Sequence, residues 1–187
     1  DRKKGDGLFK ENNIVLIRKK SKLANSRPGF IYFSISAELL AFKPDVVQVH
    51  GGTNSWLPQV VKLQKTLGFK LFIDIHQDFS VENFSGKLID VAYYFIWGLY
   101  HKRLVSKNLV AKYLPITQQS SEWLFQRLKI PQNLHKISPL GVDLSIMNYN
   151  PDAMSLRKDW NAENKLVIVN AGKQYQKKKI DWIIDIV

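Results

Sequence analysis

Apolar runs with polar tips alternate along this chain with segments of helical spacing. Residues 46–49 (V-V-Q-V) and 71–75 (L-F-I-D-I) are short β-branched and aromatic runs. Each follows a Pro, Gly or Lys stop, and each ends in a polar, histidine-containing loop: His50-Gly51-Gly52 and His76-Gln77-Asp78. Such runs suit strands buried on both faces, as in a parallel sheet covered by helices. Between them, residues 57–67 have a helical pattern. Pro58 sits near its start, where a missing N–H costs nothing, and Gly68 fits its end. Strand, helix and strand in about 35 residues is the size of a βαβ unit. Ligands of open parallel sheets sit beyond the carboxyl ends of the strands. Both histidines therefore fall where such a fold does its chemistry.

The remaining pattern extends the alternation. Residues 1–13 are polar and read as a loop, 14–17 as a short strand closed by Arg18-Lys19-Lys20, and Arg27-Pro28-Gly29 as a turn. Ile31, Ile35, Leu39 and Leu40 predict a helix over 30–42, ended by Pro44. Residues 88–100 are almost wholly apolar and aromatic and are followed by His101-Lys102-Arg103 and Lys107. The run falls short of the roughly 20 residues that cross a bilayer. It reads as a core helix with a basic last turn or as a helix lying on an anionic membrane surface. A strand over 111–117 is broken by Pro115. An amphipathic helix carrying Trp123, Leu124, Phe125 and Leu128 follows, and Ile137 marks a further strand. Residues 144–164 are polar and turn-prone, with a short helix near 157–160. Residues 165–170 (K-L-V-I-V-N) read as a buried strand, followed by Gly172, a lysine-rich loop and a helix from about Ile180. This order predicts an α/β fold with a mostly parallel sheet.

Composition narrows the chemistry. The chain has 187 residues, 45% hydrophobic and 12% aromatic, enough for a substantial core. It has no cysteine, which removes disulfides, thiolate metal sites and cysteine nucleophiles. Residues 1–5 carry none of the apolar core of a signal peptide. The net charge of +12 fits nucleic acid, an anionic membrane surface or phosphorylated substrates as partner. No zinc-finger spacing, basic-zipper repeat or aromatic RNA-binding signature accompanies it, which disfavours nucleic acid.

Three ordered segments resemble the retaining glycosyltransferases of the GT-B fold, family 4. The first pairs P-D-V-V-Q-V-H-G-G (44–52) with F-I-D-I-H-Q-D-F (72–79). The second pairs I-T-Q-Q-S-S-E-W-L (116–124) with I-S-P-L-G-V-D (137–143). The third is V-N-A-G-K followed by lysines and Asp181 (169–181). The resemblance implies two Rossmann-like domains with helices on both faces of each sheet and a cleft between them. Residues 1–143 would then be a partial N-terminal, acceptor-side domain. Residues 144–164 would be an inter-domain linker, and 165–187 the start of a C-terminal donor-binding domain, so the chain is expected to be a fragment.

By the same resemblance the chain belongs to an enzyme that moves a sugar from a UDP- or GDP-sugar to a glycan or lipid-linked acceptor, retaining configuration. Neither cofactor nor metal is expected. His76 and Asp78 would be catalytic, with His76 contacting the sugar or acceptor and Asp78 accepting a proton, orienting His76, or capping a following helix. Gly172, Lys173 and Lys178 would hold the donor diphosphate. Lys173 stands where the family has arginine, giving charge without the bidentate fork, and Lys179 stands where it has glycine. His50, Gly51 and Gly52 would line the cleft. Asp143 reads as an inter-domain turn residue, and His101 and His135 as peripheral. The expected location is the cytoplasm, with contact to the inner face of the plasma membrane through the basic face. The competing expectation is a non-catalytic α/β module that binds nucleotides or an anionic surface.

Overall fold

The computed structural model describes residues 7–19, 34–80, 86–144 and 153–169. The chain divides into two compact units, residues 1–140 and residues 141–187.

The first unit opens with an antiparallel hairpin of β1 (Gly7–Glu11) and β2 (Ile14–Arg18). β1 lies where the sequence reads as loop. Its two large apolar residues, Leu8 and Phe9, are too few to make a strand pattern. What forms the hairpin is the two-residue Asn12-Asn13 connection, with Asn12 in the left-handed region (φ 52°) that asparagine tolerates. Helix α1 (Ser36–Phe42) is the C-terminal part of the helix expected over 30–42; residues 30–33 lie outside the described residues. Lys19 pairs with Glu38 of α1 at 2.5 Å and holds that carboxyl below its ordinary pKa, chiefly through the hydrogen bond.

Next comes a three-stranded parallel sheet, β3 (Val46–His50), β4 (Lys70–Ile75) and β5 (Lys112–Pro115), in the order β3-β4-β5. Helix α2 (Leu57–Leu67) joins β3 to β4, with bounds that match the Pro58 and Gly68 signals. Helix α3 (Leu88–Ser106) joins β4 to β5, and α4 (Gln118–Leu128) follows β5. Thr117 caps α4 by accepting from the Ser120 N–H. This is the α/β architecture that the alternation predicts, a parallel sheet flanked by helices.

Register sorts the strand residues onto two faces. Val47, Val49, Leu71, Ile73, Ile75, Tyr113 and Pro115 share one. Its buried members pack with Leu57 and Val60 of α2, Tyr94 and Leu104 of α3, and Trp123, Leu124 and Leu128 of α4 in a single core. Gln48, His50, Phe72, Asp74, Lys112 and Leu114 share the other, and all six are half-buried or exposed. Among the described residues, burial on both faces, expected from the apolar runs, thus holds for one face only. The alternation Phe72, Asp74, His76 marks the more polar side.

No strand forms at Ile137. Instead, after a 3-10 turn (Gln132–Leu134), the chain runs along the outer edge of β5 as a strap. His135 makes an isolated parallel bridge to Tyr113, and the Lys136 and Ser138 N–H groups donate to the carbonyls of Tyr113 and Pro115 at 2.9 Å each.

The second unit contains α5 (Ala153–Asp159), inside the stretch expected as a linker. The buried strand expected over 165–170 is not seen: residues 165–169 carry no strand, and Leu166, Ile168 and Val169 are exposed. Among the described residues no strand lies beside them, so their backbone has no ladder to join. Asn170, Gly172, Lys173, Lys178 and the expected helix from Ile180 lie outside the described residues.

Candidate functional site at the carboxyl ends of the parallel strands

β3 and β4 end side by side, and their register sets His50 opposite Asp74. His76 is two residues beyond Asp74. The three side chains meet there. Asp74 Oδ2 lies 3.0 Å from His50 Nδ1 and 3.1 Å from His76 Nε2. His50 Nδ1 donates to the carboxylate, and His76 Nε2 lies within ion-pair distance of the same oxygen. The two imidazoles stand edge to face with centroids 4.5 Å apart. Side-chain exposure runs from 13% at Asp74 to 37% at His76 and 69% at His50. The carboxylate is therefore sunk beneath two histidines that reach solvent. Asp74 Oδ1 is buried and has no hydrogen-bond partner among the described residues.

The loop after β3 is held tightly. Gly51 has φ +84°, a conformation that L side chains rarely adopt, and its N–H donates to the Asp74 carbonyl at 2.9 Å. Asn54 donates to the carbonyls of His50 (2.8 Å) and Gly51 (2.6 Å) and accepts from the Leu57 N–H at the start of α2. Gly52 faces the core. A Cβ there would come within 3.0 Å of Ile75 Cδ1 and 3.4 Å of Leu128 Cδ1. Helix α3 reaches both loops, with Tyr93 donating to the Thr53 carbonyl and Gln77 donating to the Tyr94 hydroxyl.

His101, expected at the periphery, is fully buried on α3 directly behind this loop. Its Nε2 lies 2.7 Å from the Gly52 carbonyl, which can only accept. Nε2 therefore carries the proton, and Nδ1 accepts from the Tyr113 hydroxyl at 2.9 Å. Burial lowers the His101 pKa to about 4, against the opposing pull of the Gly52 carbonyl. Burial likewise raises that of the Tyr113 hydroxyl. His135 is not peripheral either. Its Nδ1 meets Ser121 Oγ at 2.7 Å, and burial lowers its pKa.

The structure thus brings His50, Gly51, Gly52 and His76 together. Asp78 Oδ1 accepts from the N–H and Oγ of Ser80 at 2.8 and 2.6 Å, folding its own loop. The carboxylate beside His76 is Asp74, which in the sequence is one more residue of an apolar strand run. A carboxylate inside an apolar strand, in alternation with His76, was the signal. Asp143 is exposed. Chemically, two histidines on one carboxylate can hold and pass a proton, bind an anion when protonated, or ligate a metal through one donor atom each, all within 4.8 Å of one another.

The fold and this site define an α/β protein with its polar cluster at the carboxyl edge of a parallel sheet. No protein-family model matches the chain, and no curated protein matches it either.

Proposed function

We propose that this chain is the acceptor-side part of a retaining, nucleotide-sugar-dependent glycosyltransferase. The observation that supports this reading most directly is the convergence of His50, Gly51, Gly52 and His76 at the ends of adjacent parallel strands. In this reading His76, oriented by Asp74, contacts the sugar or acceptor at the reacting centre. His50 and the Gly51-Gly52 loop form the cleft wall. Gly172, Lys173 and Lys178 neutralise the departing diphosphate without a metal. The acceptor is a glycan or a lipid-linked one, and the work is done in the cytoplasm.

The test is nucleotide binding followed by transfer, both in EDTA, with the full-length enzyme; the chain alone is expected to be inactive. UDP or GDP is expected to bind, and Lys178→Ala to weaken that affinity about tenfold, the worth of one charged hydrogen bond. His76→Ala is expected to leave nucleotide affinity unchanged while sugar transfer falls about 10²-fold. Absence of binding by either nucleotide, an unchanged affinity in Lys178→Ala, or strict dependence of transfer on a divalent ion would overturn the reading.

A specific feature of α3 favours surface binding, alone or alongside transfer. Leu88, Val91, Phe95 and Leu99, three to four residues apart, form an exposed stripe widened by Ile89 and Ile96, and exposed Lys102 and Arg103 continue it. Among the described residues, no helix is long and apolar enough to cross a membrane. An apolar face ending in cations suits the interface of an anionic bilayer. The chain is expected to co-sediment with phosphatidylglycerol vesicles and to be released by high salt. The double change Phe95→Ser with Ile96→Ser should weaken binding at least about tenfold, since each buried side chain contributes about 1.5–3 kcal/mol. Unaltered binding in that variant would remove α3 from the contact.

A further inference from the structure

The cluster of His50, Asp74 and His76 has two features that substrate contact does not explain. One is the spacing of its donor atoms. The separations of 3.0 Å and 3.1 Å from Asp74 Oδ2 to the two ring nitrogens are close to the edge of a tetrahedron, about 3.3 Å for ligand bonds of about 2.0–2.1 Å. One donor atom from each of the three residues lies within 4.8 Å of the others, so the remaining separation closes by ring rotation. The second feature is Asp74 Oδ1, a buried carboxylate oxygen with no hydrogen-bond partner among the described residues. An unpaired buried acceptor is costly. A cation beside the carboxylate would offset that cost directly.

We propose that His50, Asp74 and His76 form a binding site for a divalent transition-metal ion of the zinc class. Two imidazoles and one carboxylate are a donor set that suits zinc and its first-row neighbours and not magnesium or calcium, which prefer oxygen alone. The ligands come from two adjacent strand ends pinned by main-chain hydrogen bonds, so the site is largely assembled before the ion arrives. The ion takes one ring nitrogen from each histidine and one carboxylate oxygen. The exposure of His50 and His76 leaves at least one coordination position open to water or a small ligand. The inference does not rest on the transferase reading. The expectation of metal-free transfer concerns the donor diphosphate, not these three side chains.

The experiment is titration of the tag-free, EDTA-stripped chain with Co²⁺, read by its visible d–d absorption, followed by displacement with Zn²⁺. One ion per chain at micromolar affinity is expected. His50→Gln, His76→Gln and Asp74→Asn should each weaken it at least about tenfold. Zinc should raise the thermal midpoint of the original chain and leave those of the three variants nearly unmoved. That second measurement also shows whether each variant still folds. No binding at micromolar ion, or retained affinity in folded His50→Gln and His76→Gln chains, would overturn the proposal. Neither readout involves a nucleotide or a sugar, so its failure is distinct from failure of the transferase reading.

Discussion

Replacing His101 by leucine is expected to cost about 4 kcal/mol of folding stability. Each of its two partners, the Gly52 carbonyl and the Tyr113 hydroxyl, would be left buried without a hydrogen bond, at about 1–3 kcal/mol apiece. The shape of leucine fills most of the space, so the loss reports polar satisfaction more than packing. Urea unfolding of the two chains measures it. A double-mutant cycle with Tyr113→Phe isolates one half. In the leucine background, removing the hydroxyl should cost little or restore stability, because it deletes an orphaned group. A change below about 1 kcal/mol in His101→Leu would show that the histidine does not hold the Gly52 loop. Because Gly52 adjoins the His50 strand end, the same variant should loosen the site before it unfolds the domain.

Acid is expected to destabilise the fold through the same residue. Burial sets the folded His101 pKa at about 4, against 6.5 for an unperturbed histidine. The unfolded chain therefore takes up the proton first. Stability is complete above about pH 6.5, declines as pH falls through that window, and levels off for this group below about 4. The gap is worth about 3 kcal/mol. His135, also lowered by burial, acts in the same direction. Unfolding free energies measured across this range should fall steeply for the original chain. They should fall much less for His101→Gln, which cannot take up the proton. Parallel slopes for the two chains would show that His101 is not the group responsible.

Much of the fold could be read from punctuation. Pro44, Pro58 and Gly68 mark the ends of β3 and α2 because each enforces a backbone constraint that tertiary packing cannot override. The candidate histidines His50 and His76 followed, since strand ends in a parallel sheet are where such a fold binds ligands. Asp74 was hidden for a different reason. A single carboxylate in L-F-I-D-I looks like noise in an apolar run, and only register shows it opposite His50. His101 was misread because α3 is apolar on nearly every side. Phe95 and Ile96 are exposed while Gly98 and His101 are buried. Polarity cannot say which face of such a helix turns inward. The buried strand expected over 165–170 failed on the opposite ground. Its residues have the propensity, but a strand is a relation between two backbones, and none lies beside it among the described residues.

The strap from His135 to Ser138 also has a bearing on self-association. Strands at the margin of a sheet invite pairing with another molecule. At β5 the carbonyls of Tyr113 and Pro115 are already taken by the chain's own Lys136 and Ser138 N–H groups. A foreign strand would have to peel the strap away before docking, and so this margin is guarded against polymer growth by four residues that never become a strand themselves.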